Sequence, residues 1–347
     1  MDFTPTEAQA EARDLAARIF ADLATHERLR AAGTGSDPEL WKALTAAGLV
    51  SAVEELGLLG LVLLLEEQGR TTAQVPYAAS CVYGQLAIAA HGTTEQRQRL
   101  LPGIGDGSVV VAGAFPAQQG VRPSARGGLT GTAPVVPWLR DATHVLVADA
   151  GRRLWLVPLG EGTGIEEAEL TAPWSAGRLT FHDAPAEPLG TDPDPGGPGP
   201  YADVLATART AFAGLQAGVC AGSLARAVAH TNTREQFGRP LATRQAVQLR
   251  AADAHMDTEA IRVTAYEAAW RRDAGLPYVT HALTAAWWAS EAGQRVVHTG
   301  QHLHGGAGAD VDHPVHRHFL WGRQLDAYLG SGSEVLQELG ELIASGD

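Results

Sequence analysis

Residues 191–200 read Thr-Asp-Pro-Asp-Pro-Gly-Gly-Pro-Gly-Pro, four prolines and three glycines in ten positions. Such a run is neither helix interior nor central strand, because each proline lacks a backbone donor and each glycine costs conformational entropy. It reads as a linker. From Ala202 onward the chain is Ala-rich, with helices expected near 202–233, 241–273, 279–302 and 332–345. Four long helices with short connections predict a bundle.

Upstream of the linker, residues 108–190 carry short β-rich runs: Val109–Ala112, Gly128–Gly131, His144–Ala148, Arg153–Val157 and Arg178–Phe181. Turn residues such as Asp149–Gly151 separate them, which predicts a small antiparallel β domain. Residues 1–107 read as helices. Thr4 or Thr6 caps a first helix running to about Ala32, and Asp37-Pro38 starts a second. An apolar helix spans about Glu54–Arg70 and another follows Pro76. Thr93 or Thr94 caps Glu95–Leu101, stopped by Pro102-Gly103. The expected architecture is mostly α with a central small β domain: 1–107 helical, 108–190 β, 191–200 linker and 201–347 a four-helix bundle.

Composition narrows the function classes. The net charge of −13 argues against a nucleic-acid partner, which needs clustered Lys and Arg. Cys81 and Cys220 sit in apolar surroundings and read as buried free thiols of a reducing compartment. The start Met1–Thr6 is not a secretory signal, and the apolar run Gly57–Leu65 is far short of the ~20 residues of a membrane span. These features together predict a cytoplasmic protein.

Two motifs carry chemistry. Arg234-Glu-Gln-Phe-Gly-Arg-Pro-Leu241 lies between two helices. Its Arg can grip a phosphate, Phe237 offers a flat face and Gly238 permits close approach. It reads equally as a corner in which Gly turns, Pro starts the next helix and Phe fills the core. His304-Gly-Gly-Ala-Gly308 can offer open peptide N–H groups to a phosphate, or simply end a helix. His302, His304, His313, His316 and His318 do not converge on one face with a carboxylate, so no metal site is expected. Trp287 and Trp288 read as core or interface.

Taken in order, these motifs, with Gln245 between them and His313-Pro-Val-His-Arg317 after them, resemble the C-terminal domain of the acyl-CoA dehydrogenase family. Leu44–Leu49 and Gly92–Pro102 resemble its N-terminal helical domain. The resemblance implies FAD as cofactor, an acyl-CoA substrate and an electron-transfer flavoprotein as a further partner. It implies that Arg234, Gln236, Phe237, Gly238, Gln245, Gly305 and Gly306 contact the ADP part of an FAD bound mainly by a neighbouring subunit. Gln301 is the candidate for a further contact, since the family's glutamine position is His302 here.

The chain also departs from the family. Family members place a carboxylate base before a Gly-Thr near the C-terminus, where this chain has Leu329 or Gly330, or one residue before an Arg matching Arg209, where it has Ala208. Glu334 reads as a helix N-terminal carboxylate. No catalytic residue is therefore assigned. The segment that holds the flavin ring in the family matches Ala114–Gly120, the Asn-Gly-X-Lys turn matches Leu129–Ala133, and Trp138 is either the aromatic behind the flavin or a packing residue. The small face Ala208, Ala211, Gly214 and Gly218 leaves room for a bulky substrate or lets helices pack closely. The combination resembles the subunit lacking the base in heteromeric (α2β2) acyl-CoA dehydrogenases of actinobacterial steroid side-chain catabolism, working with a Glu-bearing paralogue. The alternatives are a self-sufficient homo-oligomer with a relocated base, such as Glu291 or a His, and a flavin-free scaffold.

Overall fold

The computed structural model describes residues 2–190 and 199–345, so most of the Pro/Gly linker lies outside the described residues. The helices of the first part are α1 (Glu7–Leu23), α2 (His26–Ala32), α3 (Pro38–Ala46), α4 (Val53–Thr71), α5 (Tyr77–Ala79), α6 (Ala87–His91) and α7 (Thr94–Asp106). Thr6 and Thr93 each close a capping box with a glutamine three residues on. The helix expected to reach Ala32 breaks at Ala24–Thr25, where Ala24 leaves helical geometry (ψ 47°); threonine favours caps over helix interiors. Between α5 and α6 a π-helical segment, Ser80–Leu86, keeps the chain helical. α7 runs through Pro102 instead of stopping there. Its last turn is held by buried Ile104 and Gly105, and Gly107, at φ 81°, ends it.

The β region forms two four-stranded sheets. One has the order β1 (Val111–Ala114), β4 (His144–Ala148), β5 (Leu154–Pro158), β8 (Glu187–Pro188); the other β2 (Val121–Pro123), β3 (Leu129–Val136), β7 (Gly177–Ala184), β6 (Thr163–Glu167). Pairing is antiparallel except between β1 and β4, which is parallel. Val121, Leu129, Val145, Val147, Leu179 and Phe181 form the shared core. β2, β6 and β8 escaped the sequence reading.

After the linker come α8 (Pro200–Thr233), a short hairpin of β9 (Glu235–Gln236) and β10 (Arg239–Pro240), α9 (Gln245–Asp273), α10 (Val279–His304), α11 (Pro314–Leu325) and α12 (Gly332–Ser345). α11 was not expected; His313 caps it, its Nδ1 accepting from Val315 N–H. The chain separates into two compact units, residues 27–57 with 74–208, and residues 1–26 with 58–73 and 209–347.

Glycine sets the packing of the second unit. Gly214, Gly218 and Gly222 lie four apart on one face of α8 and meet Val62, Glu66 and Arg70, also four apart, on α4. A methyl on Gly218 would collide with the Glu66 carbonyl, and one on Gly69 with that of Leu215. On another face of α8, Gln216 and Ser223 fill the space left by Gly293 and Gly300 of α10. Of the two readings of this small face, Gly214 and Gly218 serve close packing. α4 bends at Gly57 (φ 71°), and the Asp273 carboxylate accepts from Leu58 and Leu59 N–H at 2.8 and 2.9 Å, capping the turn that follows. α8 is long and apolar enough to cross a membrane by composition, but 72% of its most apolar window is buried. Cys81 and Cys220 are buried free thiols, their pKa values raised by burial.

Two predictions follow from this packing. Gly218→Ala will lower unfolding stability by about 2–3 kcal/mol, because overpacking a filled contact costs that much. Gly306→Ala, at a position with open space, will change it by less than about 0.5 kcal/mol in the same urea titration. Second, burial pushes His318 down to about 4, although its Nε2 faces the Arg70 carbonyl at 2.9 Å. The neutral ring is favoured in the folded state, so its contribution is whole above about pH 6.5 and is lost as pH falls through about 4. Its ceiling is about 3 kcal/mol. His318→Leu will flatten the fall in stability across that window.

Candidate functional site

Arg234–Leu241 is not a helix corner. It is a two-residue β-hairpin in which Arg239 pairs with Gln236 and Pro240 with Glu235. Phe237 (φ 55°) and Gly238 (φ 75°) fill the turn. Positive φ at both central positions is the type I′ geometry that matches strand twist. A phenylalanine in the left-handed region costs about 1–2 kcal/mol, and burial does not offset it: Phe237 is 90% exposed. The reading in which Phe fills the core is therefore corrected. Pro240 does not begin the next helix either. A 3₁₀ turn, Leu241–Thr243, intervenes, and Gln245 is the first residue of α9. Arg244 braces the hairpin, its guanidinium 5.1 Å from the Phe237 ring centroid and its Nη2 donating to the Gln236 carbonyl at 3.1 Å. Nothing in the sequence marked Arg244.

The glycine loop leaves α10 at Gly305 (φ 66°) and continues as a 3₁₀ turn to Ala309. Gly305 and Gly306 are exposed, with no atom within 4 Å of where a side chain would begin. Gln301 is engaged with the loop itself, its Nε2 donating to the Gly308 carbonyl at 3.2 Å. His304 Nδ1 donates to the Gly300 carbonyl at 2.7 Å, and its ring stacks on His230 at 4.7 Å. Arg234 N–H donates to the His230 carbonyl. Through His230 the hairpin and the glycine loop meet at one end of the bundle, although 70 positions separate Arg234 from His304 in sequence.

Leu329 and Ala208 are both buried. Arg209, next to Ala208 and 7% exposed, donates through Nε to the Leu329 carbonyl at 3.3 Å. Its two Nη atoms grip Glu338 bidentately at 2.9 and 2.7 Å. Two nearby carboxylates are engaged. Glu338 is held by Arg209. Glu334 accepts from Ser331 N–H and Oγ, which holds it below the usual carboxylate range, as a cap of α12. Glu291 packs where a side chain on Gly332 would begin, 2.6 Å from Oε1.

In the other unit, Ala114–Gly120 carries no hydroxyl. Phe115 stacks with Tyr83 (5.1 Å) and with Tyr201 (6.1 Å), and the Arg152 guanidinium lies over the Tyr201 ring at 5.5 Å. Ala117 N–H donates to the Tyr201 hydroxyl at 3.3 Å and Gln118 N–H to the Ala148 carbonyl at 2.8 Å. These donors, turned onto the chain itself, do not fit a segment that holds a flavin ring. Leu129–Ala133 is strand β3, not a turn, and Trp138 is fully buried against Trp174 at 4.3 Å, the packing alternative. Among the described residues no group of three or more His, Cys, Asp or Glu is placed to hold a metal ion.

Replacing Phe237 with Asn, which tolerates positive φ, will raise the thermal stability of the isolated chain by up to about 1 kcal/mol. A fall in stability would mean that the contact with Arg244 outweighs the backbone cost.

Residues 6–108 match the acyl-CoA dehydrogenase N-terminal domain and residues 201–340 the acyl-CoA dehydrogenase C-terminal domain. The chain is 33% identical to acyl-CoA dehydrogenase FadE27 of Mycobacterium tuberculosis, over 99% of both chains. Among solved structures it is similar to the Tcur3481–Tcur3483 steroid ACAD (TM-score 0.90, 42% identity, 98% of each chain). It is also similar to the ChsE4–ChsE5 complex of Mycobacterium tuberculosis (TM-score 0.89, 32% identity, 99% of each chain). The chain belongs to the acyl-CoA dehydrogenase family.

Proposed function

We propose that this chain is the non-catalytic subunit of a heteromeric, cytoplasmic acyl-CoA dehydrogenase, most simply α2β2, in which a Glu-bearing paralogue supplies the base. The observation that carries the reading is the pair of base positions: Leu329 and Ala208 offer no proton acceptor, and Arg209 ties the site to Glu338. α,β-Dehydrogenation needs a carboxylate at the α-carbon, and FAD when bound supplies the acceptor for the β-hydride. The contribution left to this chain is binding. Arg234 offers a planar fork of donors, Phe237 a flat exposed face, and Gly305 and Gly306 open backbone. Gln236, Gly238, Gln245 and Gln301 shape or brace the same surface. Together they fit the ADP part of a cofactor.

Distance supports the division. Twenty-five residues of helix separate Arg209 from Arg234, about 38 Å at 1.5 Å per residue. That is farther than one extended dinucleotide cofactor reaches, so the hairpin serves a cofactor whose ring lies on another chain. The relatives point to the substrate class and assembly. One is a steroid ACAD and another a complex of two differently named chains, which favours a steroid side-chain CoA thioester and a paralogous partner. An electron-transfer flavoprotein would then take the electrons. A relocated base is not favoured at Glu334 or Glu338, since each is engaged.

Expressed alone, the chain will be colourless and inactive, even as Leu329→Glu. Co-expressed with a Glu-bearing paralogue, it will form a yellow, active complex, and Arg234→Ala in this chain will make that complex lose flavin on gel filtration. Turnover by the purified single chain, or a complex indifferent to Arg234→Ala, would sink the proposal.

A further inference from the structure

Three arginines lie in or next to the β9–β10 hairpin, and they are placed differently. Arg234 and Arg239 are exposed, and among the described residues neither guanidinium makes a hydrogen bond or an ion pair. Arg244 is half-buried and turned onto the chain. Its guanidinium lies over the Phe237 ring, 5.1 Å from the centroid, and its Nη2 donates to the Gln236 carbonyl at 3.1 Å. Its Nε is buried without a hydrogen-bond partner, and among the described residues no carboxylate pairs with it. The helix that follows does not account for this placement. Arg244 stands at the N-cap of α9 and makes no side-chain cap bond there. A helix N-terminus favours an acceptor side chain and opposes a cation. The contact with the hairpin is what accounts for the side chain's position.

The hairpin needs that support. Its strands are two residues each, with no third strand beside them. A two-stranded ribbon is marginal by itself in water. Its turn holds Phe237 at φ 55° with the ring 90% exposed. Among the described residues no other ring or cation lies on the Phe237 ring. Two backbone bonds bring Arg244 back toward the turn. Leu241 N–H donates to the Arg234 carbonyl at 2.9 Å, and Arg244 N–H to the Leu241 carbonyl at 3.0 Å.

We propose that Arg244 is a positioning residue of the cofactor-contact hairpin. It fixes the Phe237 ring before the ligand arrives, through the guanidinium over the ring and the bond to the Gln236 carbonyl. It acts through Phe237 rather than on the ligand. Presetting the ring lowers the ordering cost of binding. The proposal rests on the reading of this hairpin as a cofactor contact.

The test is a double-mutant cycle on the complex with the Glu-bearing paralogue, read as flavin affinity. Phe237→Ala will weaken binding about tenfold, the loss usual for an aromatic that stacks a base. Arg244→Leu keeps the bulk but loses the charge and the donor, and it will also weaken binding about tenfold. With Phe237→Ala already present, Arg244→Leu will weaken it no further. A purely structural role at the start of α9 would instead add its full cost in both backgrounds. Arg244→Lys will restore part of the loss, because it keeps a cation for the ring. NMR of the isolated, unmodified chain gives a second readout. The guanidinium protons of Arg244 will lie upfield of those of exposed arginines, shifted by the ring beside them, and Phe237→Asn will abolish the shift. If Phe237→Ala weakens binding and Arg244→Leu does not, the proposal alone is overturned. Full additivity of the two, or unshifted guanidinium protons, would do the same. A complex indifferent to Phe237→Ala would overturn the cofactor-contact reading and the proposal with it.

Discussion

The second unit depends on one contact, the backbone-to-backbone crossing of α8 over the latter part of α4. Gly214, Gly218 and Gly222 on one helix, answered by Gly69 on the other, bring the chains closer than any side chain allows. Interiors are packed at crystal-like density and a helix pair so closely seated has no room to slide. α8 is thereby a fixed ruler. Its other faces seat α10 through Gln216 and Ser223, and α11 through Gly222 and the Gln216 amide, which donates to the Gly322 carbonyl at 3.2 Å. One stretch carries Arg209 and its hold on Leu329; the far end carries the hairpin. The separation of the two chemistries follows from the rigidity of one helix.

A family member without a base would still be an enzyme if another carboxylate had moved into place. The hydrogen bonding of Glu338 supports the proposed subunit role. Arg209 is nearly buried, and a buried guanidinium left unpaired costs several kcal/mol. Glu338 supplies the partner, bidentate, and Leu329 gives its carbonyl. Both oxygens of that carboxylate are occupied by the guanidinium. In the other unit, the Tyr83–Phe115–Tyr201 stack and the Ala117 N–H bond to Tyr201 close a segment that would otherwise present open donors.

Much of this was legible in the sequence, for identifiable reasons. Caps are local, so Thr6, Asp37 and Thr93 marked helix starts correctly. The order helix, strand, helix follows from composition. Long-range packing was not legible. The segment Ser80–Leu86 is fully buried, so its periodicity carried no sign of the π-helical step. β6 is mostly exposed and lacks the alternation that marks a strand. Pro102 suggested a stop that buried Ile104 and Gly105 override. Phe237 misled most: an aromatic in an apolar motif suggests core, and only the paired positive φ values of Phe237 and Gly238 reveal a turn that holds the ring outward. Arg209's pairing with Glu338 spans 129 positions and left no local trace.

The central claim is that this chain offers a surface to a flavin housed elsewhere. Bound-flavin stoichiometry of the purified complex with its Glu-bearing paralogue, from visible absorbance against protein concentration, tests it most directly. One flavin per pair of unlike chains is the result this account predicts. One flavin per chain, with this subunit retaining its own after the complex is separated, would contradict it.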